Sequence, residues 1–252
     1  MIFAAIDIGN TNIKIGIFEN DKLKTLNVFG EIDIAEDYLR SVNNLSAAAI
    51  SSVAPGRTMS ITNTMLNELK ISPFIIDHKV KLNIKFNYER PETLGTDRIC
   101  SCEGALSLLQ KSGVKFKKNS YLVTSDLGTA TTINIVKEGV EFTGGIIAPG
   151  LYTMVNSLFE NTAQLPKVEL KSYKNLIGSS TVKAIESGII NSTLGLYQAV
   201  FDHLNKELKA RDIYFYMTGG NSKIIAPHLK QKFTLVEELV ILGIKTIFDK
   251  NK

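Results

Sequence analysis

Cysteine, histidine and arginine are scarce in this chain of 252 residues, and each scarcity closes off a kind of chemistry. The two cysteines, Cys100 and Cys102, are one residue apart. A disulfide framework would need more of them, and a zinc centre would need more ligands. His78, His203 and His228 share no metal-ligand spacing, so isolated imidazoles are expected. Only five arginines contribute to the net charge of +4, and the lysines that supply the rest are dispersed along the chain. Nucleic-acid binders carry denser basic footprints with interleaved aromatics, so no nucleic-acid partner is expected. A mild positive field suits a small anionic substrate instead. No apolar run approaches the length of a membrane span, and no charged segment leads into a signal-like core at the N-terminus. The expectation is an intracellular, cytoplasmic protein without a membrane partner. Low-complexity tracts are also absent, and the length can bury one large core or two modest ones.

One pattern is present twice. Residues 7–16 read DIGNTNIKIG, with a carboxylate on a tight turn directly after an apolar strand. Residues 121–136 read YLVTSDLGTATTINIV. Aligning Asp7 with Asp126 matches Gly9 to Gly128, sets Thr129 opposite Asn10 and superimposes the strands that follow. Such an echo near half the chain length suggests an internal duplication, with a strand–turn–strand device in each half. The polar run KSGVKFKKN, around residues 112–119, suits a boundary and gives expected domains of 1–115 and 116–252. Short buried strands are expected at Ala47–Val53 and Pro73–Ile76, and another strand at Tyr214–Met217. Helices are expected at Ile99–Leu109, Gly150–Gln164, Thr181–Leu208 (broken at Gly188 or Gly195) and Glu237–Phe248, the last amphipathic. Alternating strands and helices argue an α/β fold.

Three sets of residues can carry chemistry. A carboxylate at a strand end can hold a hard cation together with water and phosphate oxygens. Backbone N–H groups and short hydroxyls beside it accept phosphate, and glycine lets the main chain approach closely. Lys14 follows on the next strand, where an ammonium can meet phosphate. The plain alternative is a pair of hairpins in which Asp and Asn serve only turn chemistry. In PETLGTDRIC, residues 91–100, Asp97 and Arg98 precede a helical pattern. Arg98 can clamp a carboxylate and Asp97 can accept a hydroxyl proton, although a capping Asp beside a surface Arg explains the same letters. GGIIAPG (144–150) and TGGNS (218–222) are glycine loops that lead into helices. Neither matches GxxxxGK[ST] or GxGxxG.

Taken in order, these motifs make the chain resemble the type III pantothenate kinases, members of the acetate kinase, sugar kinase, Hsp70 and actin superfamily. The likeness covers nearly the whole length and rests on DIGNTNIKIG, LGTDRI, DLGTATTIN, GGIIAPG, NTAQLP, GSSTVKAIESG and TGGNS. It implies two tandem RNase H-like domains with ATP between them, and transfer of the γ-phosphoryl group to the primary hydroxyl of pantothenate. By that resemblance, residues 7–14 handle the ATP phosphates: Asp7 on the magnesium side, with Gly9, Asn10, Thr11, Asn12 and Lys14. Gly128, Thr129, Gly219 and Gly220 belong to the nucleotide site, and Asp126 to a monovalent cation, potassium or ammonium. Asp97 matches the proton acceptor. Tyr88, Gly95, Thr96, Arg98 and Thr181 match the pantothenate site, Thr181 near the interface of a homodimer. One departure is Asn134, where the family commonly has Asp. Two other readings share most of these residues: a superfamily kinase for another small hydroxy acid or sugar, and a nucleotide-binding accessory protein of transcription.

Overall fold

The computed structural model describes residues 1–171 and 175–252. In chain order its elements are β1 (Ile2–Ile8), β2 (Ile13–Glu19), β3 (Lys22–Phe29), α1 (Ile32–Ser41), β4 (Leu45–Ser52), α2 (Pro55–Asn67), β5 (Phe74–Ile75), β6 (Lys85–Phe86) and α3 (Thr96–Lys111). There follow β7 (Ser120–Leu127), β8 (Ala130–Lys137), β9 (Glu141–Pro149), α4 (Leu151–Glu160), α5 (Thr181–Asp202), β10 (Asp212–Thr218), α6 (Ser222–Ile225), β11 (Thr234–Leu235) and α7 (Leu239–Asn251). The chain forms two compact units. The first holds Met1–Lys115, Val140–Phe142 and Glu238–Lys252; the second holds Phe116–Gly139 and Thr143–Glu237.

In the first unit the strand order is β3-β2-β1-β4-β5. The β1/β2 and β2/β3 pairs are antiparallel, while β1/β4 and β4/β5 are parallel. Strand β1 is central because Phe3 to Asp7 and Ile8 are all buried, the continuous apolar run of a strand covered on both faces. Asn20 and Asp21 turn the chain from β2 to β3 with φ of 48° and 64°, the two left-handed residues of a type I′ hairpin. Ile6, Ile8, Ile13, Ile15, Leu39, Ile50, Ile61 and Met65 form one core. Helices α3 and α7 pack with almost no side chain between them. A Cβ on Gly104 would lie 2.2 Å from the Leu239 carbonyl oxygen, and one on Gly243 would lie 1.8 Å from that of Cys100.

The second unit repeats the order as β9-β8-β7-β10-β11. Here β7/β8 is antiparallel, and β7/β10 and β10/β11 are parallel. The echo between the two acidic turns thus extends to whole sheets: each first strand is flanked by its hairpin partner on one side and a parallel strand on the other. Two tandem domains of this order make the α/β fold RNase H-like. The core gathers Val123, Leu127, Ile133, Ile189, Tyr197, Phe201, Phe215 and Met217.

The strand at 73–76 is a two-residue edge with Ile75 45% exposed, so it is not a buried strand. Helix α5 runs unbroken through Gly188 and Gly195 and ends in a π-helical turn at His203–Glu207. Two interior glycines cost about 1 kcal/mol each. Burial of Ile185, Ile189, Ile190, Tyr197, Val200 and Phe201 contributes more, about 1.5–3 kcal/mol per large apolar side chain. Helix α7 buries Leu239, Val240, Ile241, Ile244 and Ile247 together with Lys245, more than the single stripe of an amphipathic surface helix. It packs in the first unit, so the closing residues do not stay with the half of the chain that precedes them. No helix among the described residues is long and apolar enough to cross a membrane.

Candidate active site

The first acidic turn is built by the β1/β2 hairpin. Register places Asp7 opposite Lys14 and Ile8 opposite Ile13. The Gly9 N–H donates to the Asn12 carbonyl at 2.9 Å and closes the turn. Asn10, Thr11 and Asn12 are exposed at its tip, while Asp7 is only 8% exposed. Arg57 on α2, absent from the sequence reading, donates to the carbonyls of Gly9 and Thr11 at 3.4 and 3.2 Å. The turn therefore offers a carboxylate and an ammonium on adjacent strands beneath a backbone loop braced from outside.

On the other side of β1, Asp7 faces Ser51 of β4 in parallel register. Buried Ser51 donates to the Thr96 hydroxyl at 3.0 Å, and the Ser52 N–H donates to the same oxygen at 3.0 Å. Thr96 in turn donates to the Ser52 carbonyl at 3.1 Å. Its hydroxyl is thus occupied in fastening the start of α3 to the end of β4. Beneath it, Cys100 is fully buried and hydrogen-bonded to Ser51. Burial, and then the charge of Asp7, push its thiol well above the usual range, which keeps it protonated and unsuited to nucleophilic work.

Gly95 caps α3 and Asp97 lies in its first turn. Asp97 Oδ1 accepts from the Arg98 N–H at 2.9 Å. Burial raises the Asp97 pKa; the Arg98 N–H, the Arg98 charge and, more weakly, Lys14 oppose that rise. Lys14 and Asp97 are therefore within electrostatic reach, so the first acidic turn and LGTDR meet in one unit. A desolvated carboxylate is a stronger base than a free one, as proton acceptance requires.

Arg98 is 6% exposed, with its guanidinium 5.7 Å from the centre of the Phe142 ring. Tyr88 meets the same ring edge-on at 5.6 Å between centroids. Phe142, which the sequence reading missed, is fully buried and belongs to the short excursion 140–142 into this unit. An arginine held on an aromatic face beside a half-buried tyrosine can receive a small carboxylate.

In the second unit Asp126 stands opposite Thr132, because the loop after β7 is one residue shorter than that after β1. The Gly128 N–H bonds the Ala130 carbonyl at 3.0 Å. The Thr129 carbonyl accepts from Gly150 N–H at 3.0 Å and from the Thr153 hydroxyl at 2.6 Å. Gly219, with φ of 97°, packs its backbone on this turn; a Cβ there would lie 2.4 Å from Asp126 Oδ1. Asn221 N–H donates to the Leu127 carbonyl at 3.1 Å, so Asp126, Gly128, Thr129 and the loop of Gly219 and Gly220 form one cluster. Asn134 is buried within the sheet, donating to the Thr124 hydroxyl at 3.2 Å. Thr181 begins α5 after the capping Ser180 and lines an apolar groove of about 590 Å³ with Met154, Leu158, Ile185 and Ile189. It lies in the second unit, whereas Tyr88, Gly95 and Arg98 lie in the first. Among the described residues no three His, Cys, Asp or Glu side chains gather as a metal cage. Asp7 and Asp126 are single carboxylates, which suits cations completed by phosphate and water.

A family model of type III pantothenate kinases matches residues 3–203. A type III pantothenate kinase of Sulfurihydrogenibium sp. is 34% identical over 95% of this chain and 96% of that protein. One from Finegoldia magna is 34% identical over 100% of this chain and 98% of that protein. A Baf family protein from Campylobacter jejuni has a similar fold, with a TM-score of 0.61, 18% identity and 98% of each chain covered. ParM of psk41 shares the fold at a TM-score of 0.50 and 12% identity, over 99% of this chain and 96% of that one.

Proposed function

Because the chain belongs to the type III pantothenate kinase family, we propose that it transfers the γ-phosphoryl group of ATP to the primary hydroxyl of pantothenate, opening coenzyme A biosynthesis. The observation that carries this reading is Asp97. Its desolvated carboxylate is held by the Arg98 N–H at the start of α3, in the same unit as Asp7 and Lys14. Phosphoryl transfer has a loose transition state, so positioning and charge compensation account for most of the catalysis. Lys14 and the exposed tip of the turn, Asn10 to Asn12, hold the transferring phosphate. Asp97 orients the attacking hydroxyl and takes its proton late. Arg98 clamps the pantothenate carboxylate, with Tyr88, Gly95 and Thr96 shaping the loop around it. Asp7 would hold magnesium, which would supply charge neutralisation to the phosphates.

Gly128, Thr129, Gly219 and Gly220 bound the nucleotide, and Asp126 holds a monovalent cation, potassium or ammonium. Two copies associate through the apolar groove at α4 and α5, which brings Thr181 to a partner's substrate site. Cytoplasmic ATP and pantothenate are its substrates. A coupled assay of ADP release, with pantothenate and with or without potassium, tests the reading. Pantothenate-dependent turnover that potassium increases is expected; no turnover in either condition overturns it.

A further inference from the structure

The carboxylate of Glu103 has no place in the reaction above, yet it is fully buried and commits both oxygens to one loop. Oε1 accepts from the Asn83 N–H at 2.6 Å and from the Ile84 N–H at 3.0 Å. Oε2 accepts from the Asn83 side-chain amide at 2.7 Å. All three partners are donors, so only an acceptor-only group satisfies them together. A buried carboxylate is costly unless it is hydrogen-bonded in this way. The remaining Asn83 oxygen accepts from Lys250 of α7 at 2.8 Å, which brings a positive charge one residue away.

The segment held in this way leads directly to Tyr88 and the Phe142 ring. After Ile84 the chain has only the two-residue strand β6, whose partner is Glu141–Phe142. The Asn87 N–H then donates to the Phe142 carbonyl at 3.0 Å, and Tyr88 follows against the Phe142 ring. Arg98, which lies over the same ring, comes from α3, the helix that also carries Glu103. Two groups that must converge on one small carboxylate therefore come from a rigid helix and from a loop with little regular structure. Glu103 ties that loop to that helix.

We infer that Glu103 is a positioning residue for substrate recognition, fixing the spacing between Tyr88 and Arg98 by latching residues 83 and 84 to α3. This inference rests on the assignment of pantothenate as substrate. The test compares the purified full chain with Glu103→Ala, Glu103→Gln and Asn83→Ala, using ATP and pantothenate. Glu103→Ala should raise KM for pantothenate about tenfold or more while kcat and KM for ATP stay within about twofold, as expected for a misplaced binding group. Glu103→Gln keeps an oxygen for the two backbone donors and should reverse most of that rise. Hydrogen exchange should quicken at residues 81–88 in Glu103→Ala and stay unchanged at residues 2–19.

A wild-type KM for pantothenate in folded Glu103→Ala overturns the inference, as does a loss shared equally by kcat and the KM for ATP. If Glu103→Ala does not fold, Asn83→Ala carries the test: a raised KM for pantothenate alone supports the latch, and an unchanged one sinks it. Should the wild-type chain ignore pantothenate, the substrate assignment fails by itself, and exchange at 81–88 decides the latch.

Discussion

Replacing Gly95 with alanine tests whether the place of Asp97 controls the rate. The Gly95 backbone, at φ −57° and ψ 134°, is open to any residue, so the substitution adds no backbone strain. The new Cβ would fall 2.5 Å from Asp97 Oδ1 and 3.8 Å from Val53 Cγ1. A carbon–oxygen contact relaxes to about 3.3 Å, so the carboxylate must retreat by roughly 0.8 Å. That movement weakens its 2.9 Å bond from the Arg98 N–H. Misplacing a reacting group by about 1 Å costs about a hundredfold in rate, or about 2.7 kcal/mol of barrier. Loss of the glycine cap costs the fold only about 1 kcal/mol. Steady-state kinetics with ATP and pantothenate should therefore show kcat down about a hundredfold in a protein that still melts cooperatively. A kcat within about twofold of wild type would refute the reasoning, because the carboxylate cannot both stay and accommodate the methyl group.

Asp97→Asn should abolish most turnover yet raise the melting temperature at neutral pH. Burial lifts the folded pKa above the unfolded one, so stability falls as the pH rises through the unfolded value and the penalty is complete above the folded one. Thermal melts should show the advantage of Asn shrinking as pH falls back into the carboxylate range, and wild-type kcat/KM should lose activity on its acid side above the ordinary aspartate range. Arg98→Ala should raise KM for pantothenate about a hundredfold and change kcat less, since a charge-assisted bond contributes about 1.5–3 kcal/mol. An unchanged KM would count against the clamp. Gly243→Ala sets two effects against each other. Helix propensity gains about 1 kcal/mol, but the methyl would meet backbone 1.8 Å away, and overpacking costs about 1–3 kcal/mol or more. Urea unfolding should show net destabilisation.

The parts of this molecule legible in sequence are those in which local pattern and tertiary role coincide. Asp7 and Asp126 could be paired because each ends an apolar strand and starts a hairpin, and the shared strand order follows from that repeat. Asp97 and Arg98 were legible as the opening of a helix. Contacts made at long sequence distance were not. Nothing in the letters around Phe142 tells that it returns to pack on Arg98, or that Glu103 reaches back to Asn83. The packing of α7 in the first unit depends on Gly104 and Gly243, which read only as isolated helical glycines until their neighbours are known. The place of Thr96 in its motif points to the substrate loop, while its bonds to Ser51 and Ser52 form a network visible only once β4 lies beside α3.

In the proposed reaction Asp97 activates the hydroxyl of pantothenate for attack on ATP. The most direct test of this role is to identify the product by mass and phosphorus NMR for wild type and Asp97→Asn, with ATP binding measured in both. Phosphate should appear on the primary hydroxyl with the wild type and almost not at all with Asp97→Asn, with equal ATP affinity in the two. Equal product from both would contradict it.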